Sequence, residues 1–271
     1  MNSLPRTALL ALSVLALIAA HAGAYPITID GLPDDWGIDP GPFASSDWEP
    51  NPGVDGVWGP PEDYQPGTDG GYVHPGYGGQ QFDAEAFYCT YDPEFAYFGL
   101  VIGLPPQGAQ GHVPGDIALD FGPDGTWDIG IETTGNNGNA PGGLYASILW
   151  GSGLWGNSDP TSILTGSLQW EAGGTNIVYS ALAGTDHYFV EVAVPLEQFP
   201  LSETTATAFR AHWTQTCGND AVDFDSELPS VPTIGGVVPE PATCAILGGS
   251  LLAMGALRRR KSRKARSRRA A

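Results

Sequence analysis

The stretch FYCTYDPEFAYFGL, residues 87–100, contains two runs of aromatic and apolar residues joined by Asp92-Pro93-Glu94. Turn-forming residues between two such runs predict a β-hairpin. The stretch LDFGPDGTWDIGI, residues 119–131, repeats the pattern with a turn at residues 122–125. Two hairpins of this kind predict antiparallel strand pairing as the basic unit of the fold.

The rest of the central chain has the same character. Short runs rich in Val, Ile, Tyr, Phe and Trp are separated by Gly, Pro and polar residues, and no long segment shows the period of a helix. In YFVEVAV, Phe189 lies on one face of the expected strand, and Val190, Val192 and Val194 lie on the other. We therefore predict an all-β, antiparallel β-sandwich with strands at 95–104, 116–122, 126–134, 144–150, 176–183, 187–195 and 207–217.

Residues 39–80 are different, because they are too rich in Gly and Pro for regular strands to be expected. Several Trp and Tyr residues in this segment argue against disorder, since disordered segments seldom carry so many aromatic residues. We predict an ordered loop excursion over the sandwich, which calcium could hold.

The N-terminus has the pattern of a secretory signal. MNSLPR is a short basic region, TALLALSVLALIAA is apolar, and Ala22 and Ala24 supply the small residues of a cleavage site. We predict that residues 1–24 are a signal peptide and that signal peptidase cleaves before Tyr25.

The C-terminus combines an apolar run at residues 242–257 with a basic tail at residues 258–271. As a helix, the sixteen apolar residues would span about 24 Å, slightly less than the hydrocarbon thickness of a bilayer. Nine basic residues follow it directly, which would stop translocation and remain cytoplasmic. The pattern predicts a single transmembrane helix.

Charge divides the chain sharply. Between Asp30 and Glu240 one Arg faces 30 Asp and Glu, a net charge of -29, and Lys is absent there. Such a domain repels nucleic acid and anionic membranes and attracts divalent cations. DNA and RNA are therefore excluded as partners.

The tail carries a resemblance to a known family of sorting signals. Val238-Pro239-Glu240-Pro241, the apolar run and the arginine-rich end resemble the PEP-CTERM signal of Gram-negative bacteria. The resemblance implies that residues 237–271 are recognised by an exosortase, cleaved near Pro-Glu-Pro, and that the rest of the chain reaches the cell surface or the extracellular space. That family is also associated with exopolysaccharide and biofilm production.

Residues 25–236 carry a second resemblance. ITIDGLPDDWG (27–37) and FVEVAVPLEQF (189–199) resemble segments of CBM9-like and DOMON-like sandwiches. GGQQFDAEAFY (78–88) and HWTQTCGNDAV (212–222) resemble exported PEP-CTERM proteins with a Cys-Gly-Asn-Asp signature. The resemblance implies a jelly-roll-like sandwich that binds carbohydrate or small ligands and in some members a structural calcium.

Three groups of oxygen-bearing side chains are candidate calcium ligands, because Ca²⁺ takes six to eight oxygen ligands. None matches an EF-hand loop, and Asp and Asn are also the residues that turns and strand ends prefer. The candidates are Asp83 and Glu85; Asp120, Asp124 and Asp128; and Asn219 and Asp220 together with Asp223 and Asp225.

Two further features are left open by the sequence. Cys89 and Cys217 lie in the exported part, where they either form a disulfide or remain two buried thiols. Trp150 and Trp155 flank a Gly-Ser turn, where their rings could stack on a sugar or simply pack.

No motif for catalysis is present: the sequence has no Gly-x-Ser-x-Gly elbow and no His-Glu-x-x-His zinc motif. We expect a non-catalytic cell-surface or matrix protein that contacts exopolysaccharide with calcium support. The alternatives are a secreted glycan-active enzyme with two carboxylates facing across a cleft, and a structural coat protein without a ligand.

Overall fold

The computed structural model describes residues 26–38, 48–58, 79–154 and 159–231. The predicted signal peptide, its cleavage site and the sorting signal at 237–271 lie outside these residues, as do Trp155 and much of the 39–80 excursion. Every described residue belongs to one compact unit that ends at Val231. Among the described residues no helix is long and apolar enough to cross a membrane.

The described residues form eleven strands and three short 3₁₀ turns, which confirms the predicted all-β class. The strands are β1 (Asp55–Trp58), β2 (Ala84–Tyr91), β3 (Phe95–Ile102), β4 (Ile117–Phe121), β5 (Ile129–Ile131), β6 (Leu144–Trp150), β7 (Ile163–Trp170), β8 (Ile177–Ala181), β9 (Tyr188–Pro195), β10 (Thr207–Thr214) and β11 (Ala221–Leu228).

The strands form two antiparallel sheets. One has the order β1-β2-β3-β9-β8 and the other the order β11-β10-β4-β5-β6-β7. Both predicted hairpins are present, since β2 pairs with β3 and β4 pairs with β5. The prediction of two packed antiparallel sheets is confirmed at this level.

The main core lies between the two sheets. It contains Phe87 and Phe98 from one sheet and Phe209, Trp213 and Phe224 from the other, all buried. The predicted alternation of β9 holds, because Val190, Val192 and Val194 belong to this core whereas Phe189 points to the opposite face.

A second core covers the outer face of the five-stranded sheet. The segment around Trp36 and Trp48 packs there against Tyr88, Val101 and Phe189. The central strands β2, β3 and β9 are therefore buried on both faces, which explains why they read as continuous apolar runs.

One prediction about the 39–80 excursion is wrong. Residues 55–58 form strand β1, which pairs with β2, although the segment was expected to contain no regular strand. Gly56 makes the pairing possible, because a Cβ at this position would lie 2.3 Å from the carbonyl oxygen of Phe87.

Candidate ligand-binding groove

A groove of about 410 Å³ lies at one end of the sandwich. Four loops meet there: the loop between β3 and β4, the loop after β5, the segment between β6 and β7, and the loop after β10. The lining is dominated by hydroxyl and amide side chains rather than by charges. It consists of Val113, Asn136, Asn137, Gly151, Ser152, Thr161, Ser162, Leu164 and Thr216.

The loop after β5 is held by a buried carboxyl group. Oε1 of Glu132 accepts the backbone N–H groups of Gly135 at 2.9 Å and of Asn136 at 3.1 Å. The amide side chain of Asn137 donates to the carbonyl oxygen of Ile163 at 3.1 Å, which ties this loop to the start of β7. One wall of the groove is thus fixed by hydrogen bonds.

A second carboxyl group joins that wall to the opposite one. Oδ1 of Asp116 accepts the N–H of Thr133 at 2.9 Å, and its Oδ2 accepts the N–H of Ile163 at 2.7 Å. Asp116 precedes β4 in the register in which Ile117 pairs with Ile131, so its side chain lies directly across from Glu132. Both side chains are fully buried.

The contact between these two carboxyl groups disfavours ionisation of both. Burial and the neighbouring Glu132 raise the pKa of Asp116 well above its ordinary value, and burial also raises the pKa of Glu132. Oε2 of Glu132 is buried and accepts no N–H or O–H donor in the described structure. Two ionised carboxylates in contact would repel in a buried environment, so this arrangement favours binding of a proton by the pair.

A second buried acid pair lies at the same end of the sandwich. Asp83, directly before β2, contacts Asp220, directly before β11, and burial and Asp83 raise the pKa of Asp220 well above its ordinary value. The oxygens of Asp220 accept the N–H groups of Ala84 at 2.7 Å and Ala221 at 2.9 Å. Two candidate calcium groups that are far apart in the sequence therefore meet in space.

The other calcium candidates are used differently. Glu85 lies 2.8 Å from Nε2 of His187, on the other side of β2 from the main core. Asp120 accepts the N–H groups of Asp124 at 3.1 Å and Gly125 at 2.8 Å, which closes the predicted turn. Asp128 accepts the N–H of Phe121 at 2.8 Å.

The contacts of Asp120 and Asp128 are the turn chemistry that the sequence left as the alternative to metal binding, whereas Glu85 pairs with a distant histidine. Among the residues that the structure describes, no group of three His, Cys, Asp or Glu side chains is arranged to hold a metal ion.

Trp150 is half-buried beside the groove. Its ring packs over Gly130, where a Cβ would lie 2.7 Å from the indole Cη2, and the next residue in the chain lines the groove. Its indole N–H has no acceptor in the described part of the chain. The expected partner ring, Trp155, lies outside the described residues.

A polar cluster that sequence reasoning missed lies on the outer face of β10. The rings of Trp127 and His212 have centroids 5.3 Å apart, and the guanidinium of Arg210 lies 5.5 Å from the Trp127 ring. Burial works against ionisation of Asp223, but contacts with His212 and Arg210 lower its pKa. No local sequence motif predicts this cluster, because its members come from a turn and two separate strands.

On the opposite side of the molecule, Glu191 of β9 holds the N-terminal segment. It accepts the indole N–H of Trp36 at 2.6 Å and the backbone N–H groups of Gly31 at 2.5 Å and Asp30 at 3.2 Å. Burial raises the pKa of Glu191 to about 7, although the Trp36 and Gly31 donors favour the ionised form. The segments IDGLPDDW and FVEVAVP therefore contact one another directly.

The two cysteines of the exported part are free thiols. Cys89 lies in the core between the sheets, whereas Cys217 packs against Phe82 and Leu104 in a separate small cluster. Of the two alternatives that the sequence left open, the structure has the pair of buried thiols, and the Cys89–Cys217 disulfide is not formed.

The groove suits an uncharged ligand that both donates and accepts hydrogen bonds. Asp116 and Glu132 beneath the groove are buried and bonded to backbone N–H groups, and the exposed Asp159 accepts the N–H of Gly153 at 2.7 Å. Comparison with known proteins gave no match: neither a family model, nor a curated protein, nor a solved structure matches this chain.

Proposed function

We propose that this is an exported, non-catalytic protein that binds a neutral segment of an extracellular polysaccharide in the end groove. The observation that carries the proposal is the lining itself, in which hydroxyl and amide groups of Asn136, Asn137, Ser152, Thr161 and Thr216 surround one concave space. Sugar hydroxyls both donate and accept hydrogen bonds, as these side chains do.

Trp150 adds an apolar ring at the edge of the same groove. An indole ring offers a flat apolar face and one N–H donor, and the Trp150 N–H has no acceptor within the described residues. The N–H itself is buried, so a sugar ring placed against the half-exposed Trp150 side chain would contact only the apolar face of the indole.

The location of the protein is proposed from its two ends. The signal-like residues 1–24 and the resemblance of residues 237–271 to a PEP-CTERM signal support export, exosortase processing and release or display at the cell surface. A jelly-roll-like, carbohydrate-binding sandwich is likewise proposed from the resemblance of residues 27–37 and 189–199.

We further propose that calcium ions screen the acidic surface of the protein and do not occupy a dedicated site. Asp225 and Glu227 follow Asp223 at alternate positions of β11, so their side chains share the outer face of that strand. Divalent cations would screen this charge without a dedicated cage, and thereby assist contact with acidic portions of a polysaccharide.

Affinity electrophoresis tests the groove. The unit of residues 25–231 is run through gels that contain a panel of neutral polysaccharides, next to a Ser152→Trp variant that fills the groove and a Thr204→Trp control. Thr204 lies in an exposed loop between β9 and β10, away from the groove.

We expect at least one polysaccharide to retard the wild type and the Thr204→Trp control, but not the Ser152→Trp variant. Equal retardation of all three proteins, or retardation by no polysaccharide, would contradict the proposal.

A further inference from the structure

Strand β7 is an edge strand with no neighbour on one side among the described residues. It follows β6 at the end of the six-stranded sheet, and its residues from Leu164 to Gln169 are exposed. Leu164 is 41% exposed and Leu168 is 46% exposed, which is unusual for two leucines on one strand. An edge of this kind presents unpaired backbone N–H and C=O groups together with apolar side chains.

Charge distinguishes the two edges of the six-stranded sheet. Strands β6 and β7 contain no charged residue and no proline, although the chain between Asp30 and Glu240 carries a net charge of -29. The opposite edge of the same sheet, β11, carries Asp223, Asp225 and Glu227. Charged side chains discourage edge-to-edge pairing, so β11 is protected by charge, whereas the protection of β7 is limited to the irregular register of its pairing with β6.

The sequence of β7 is nearly symmetric about its centre. Leu164-Thr165-Gly166-Ser167-Leu168 reads almost the same in both directions. In an antiparallel pair of two identical strands centred on Gly166, Leu164 of one copy lies opposite Leu168 of the other, and Thr165 lies opposite Ser167. Leu–Leu and Thr–Ser are favourable cross-strand pairs on their respective faces.

We propose that β7 pairs antiparallel with β7 of a second copy of this chain, around a two-fold axis at Gly166. A second copy is the occupant that the symmetry of the strand favours, because an isologous interface places the same patch on both subunits. Charge also favours this surface for self-association. Two copies with the same large negative charge repel each other, so they can approach closely only at an uncharged surface. The two six-stranded sheets become one continuous sheet. This inference does not depend on glycan binding.

The expected strength of the pairing follows from its size. Eight residues of strand span about 27 Å, and pairing along one edge buries less surface than the roughly 1,200 Å² of a stable interface. The dimer is therefore weak and reversible, and it forms where the protein is concentrated.

Sedimentation equilibrium of residues 25–231 over a wide concentration range tests the interface. The variant Leu168→Glu places a charge at the proposed pair, and Leu154→Glu makes the same change at a leucine that is 68% exposed but outside β7. We expect a monomer–dimer equilibrium for the wild type and Leu154→Glu, and a monomer throughout for Leu168→Glu. A wild type that stays monomeric at all concentrations, or a Leu154→Glu variant that loses the dimer, would overturn the proposal.

Cysteine trapping tests the register separately. Its readout is a cross-link that is gained, so it does not depend on a variant that weakens the dimer. Residues opposite each other in an antiparallel pair have Cα atoms about 4.5–5.5 Å apart, within reach of a disulfide, whereas residues four positions out of register are about 13 Å apart. Leu164→Cys and Leu168→Cys proteins, oxidised alone and as a mixture, should give a cross-linked dimer only in the mixture. Cross-linking of either variant with itself, or none in the mixture, contradicts the register centred on Gly166.

Discussion

The two sheets of the sandwich differ in what lies on their outer faces. The five-stranded sheet is covered by the segment around Trp36 and Trp48, so its central strands are buried on both sides. The six-stranded sheet has polar and charged side chains on its outer face, such as Arg210 and Asp223, and an uncovered edge strand. Stability should therefore be concentrated in the covered sheet, and binding in the open one.

The same difference appears in two buried glutamates. Both oxygens of Glu191, under the cover, accept N–H donors. Only one oxygen of Glu132, on the open sheet, accepts N–H donors, while the other faces a second carboxyl group. Burial alone does not define what a carboxyl group does, because the partners of each oxygen set the protonation state that the site requires.

The largest effect is expected from removing a tryptophan of the cover. Trp36→Ala should lower the free energy of unfolding by about 3–5 kcal/mol, because Trp36 is fully buried and its N–H partner Glu191 would lose a donor. The matched change on the open sheet, Trp127→Ala, should cost about 1 kcal/mol or less, since that ring is only half-buried. Urea denaturation of both variants measures the difference, and equal losses would contradict the contrast between the sheets.

A smaller effect is expected from Glu191→Gln. Whichever way the amide is placed, its NH₂ group meets an N–H donor of Trp36 or Gly31, so a buried donor loses its acceptor. We expect a loss of about 1–3 kcal/mol at pH 8. Urea denaturation of Glu191→Gln and the wild type at that pH measures the difference, and equal stabilities would contradict this expectation.

Glu132→Gln should behave in the opposite way. The amide oxygen can keep the N–H donors of Gly135 and Asn136, while the NH₂ group donates to Asp116 in place of the shared proton. At pH 8 the variant should be as stable as the wild type or more stable by up to about 1 kcal/mol. A loss of stability similar to that of Glu191→Gln would show that the two glutamates are equivalent.

The pH dependence of stability follows from the same groups. The folded-state pKa values of Asp116, Glu132 and Glu191 are all raised, so the folded state binds more protons than the unfolded state above the ordinary pKa of a carboxyl group. Stability should therefore be greatest near pH 4–5 and should fall as pH rises, with the Glu191 part lost near pH 7. Melting curves from pH 5 to pH 9 test this, and Glu132→Gln should show a shallower decline than the wild type.

The smallest effect is expected from divalent cations. If calcium acts by screening the acidic surface, millimolar Ca²⁺ and Mg²⁺ should raise the melting temperature equally, by about 2 °C, relative to EDTA. A rise of several degrees that only Ca²⁺ produces would instead indicate a dedicated calcium site.

The sequence predicted a strand correctly where the pattern that defines the strand lies within a short stretch of the chain. The hairpin at 87–100 and the alternation of β9 were predicted, because aromatic and β-branched runs with turn residues between them carry the information within about fifteen residues. It missed β7 and β11, whose sequences ILTGSLQW and AVDFDSEL are rich in polar and acidic residues. Edge strands of this kind become strands only because a neighbour supplies half of the hydrogen bonds.

The candidate site divides in the same way. The sequence marked Asp83 and Asp220 as oxygen ligands but could not show that they contact each other, since 137 positions separate them in the chain and only the two sheets bring them together. It did not mark Asp116, Glu132 or the groove above them, because the groove forms only where four loops from different parts of the chain meet. Trp150 was marked, and the structure places it beside that groove.

What the sequence determined by itself is the class of the fold, the extreme acidity of the central region and the two faces of β9, because these depend on composition and on a period of two residues. Only the tertiary structure decided which carboxyl groups share a proton, which face of which sheet is covered, and which edge is left open. Those outcomes depend on contacts between residues far apart in the chain, and the free energy of such contacts is not written in any local pattern.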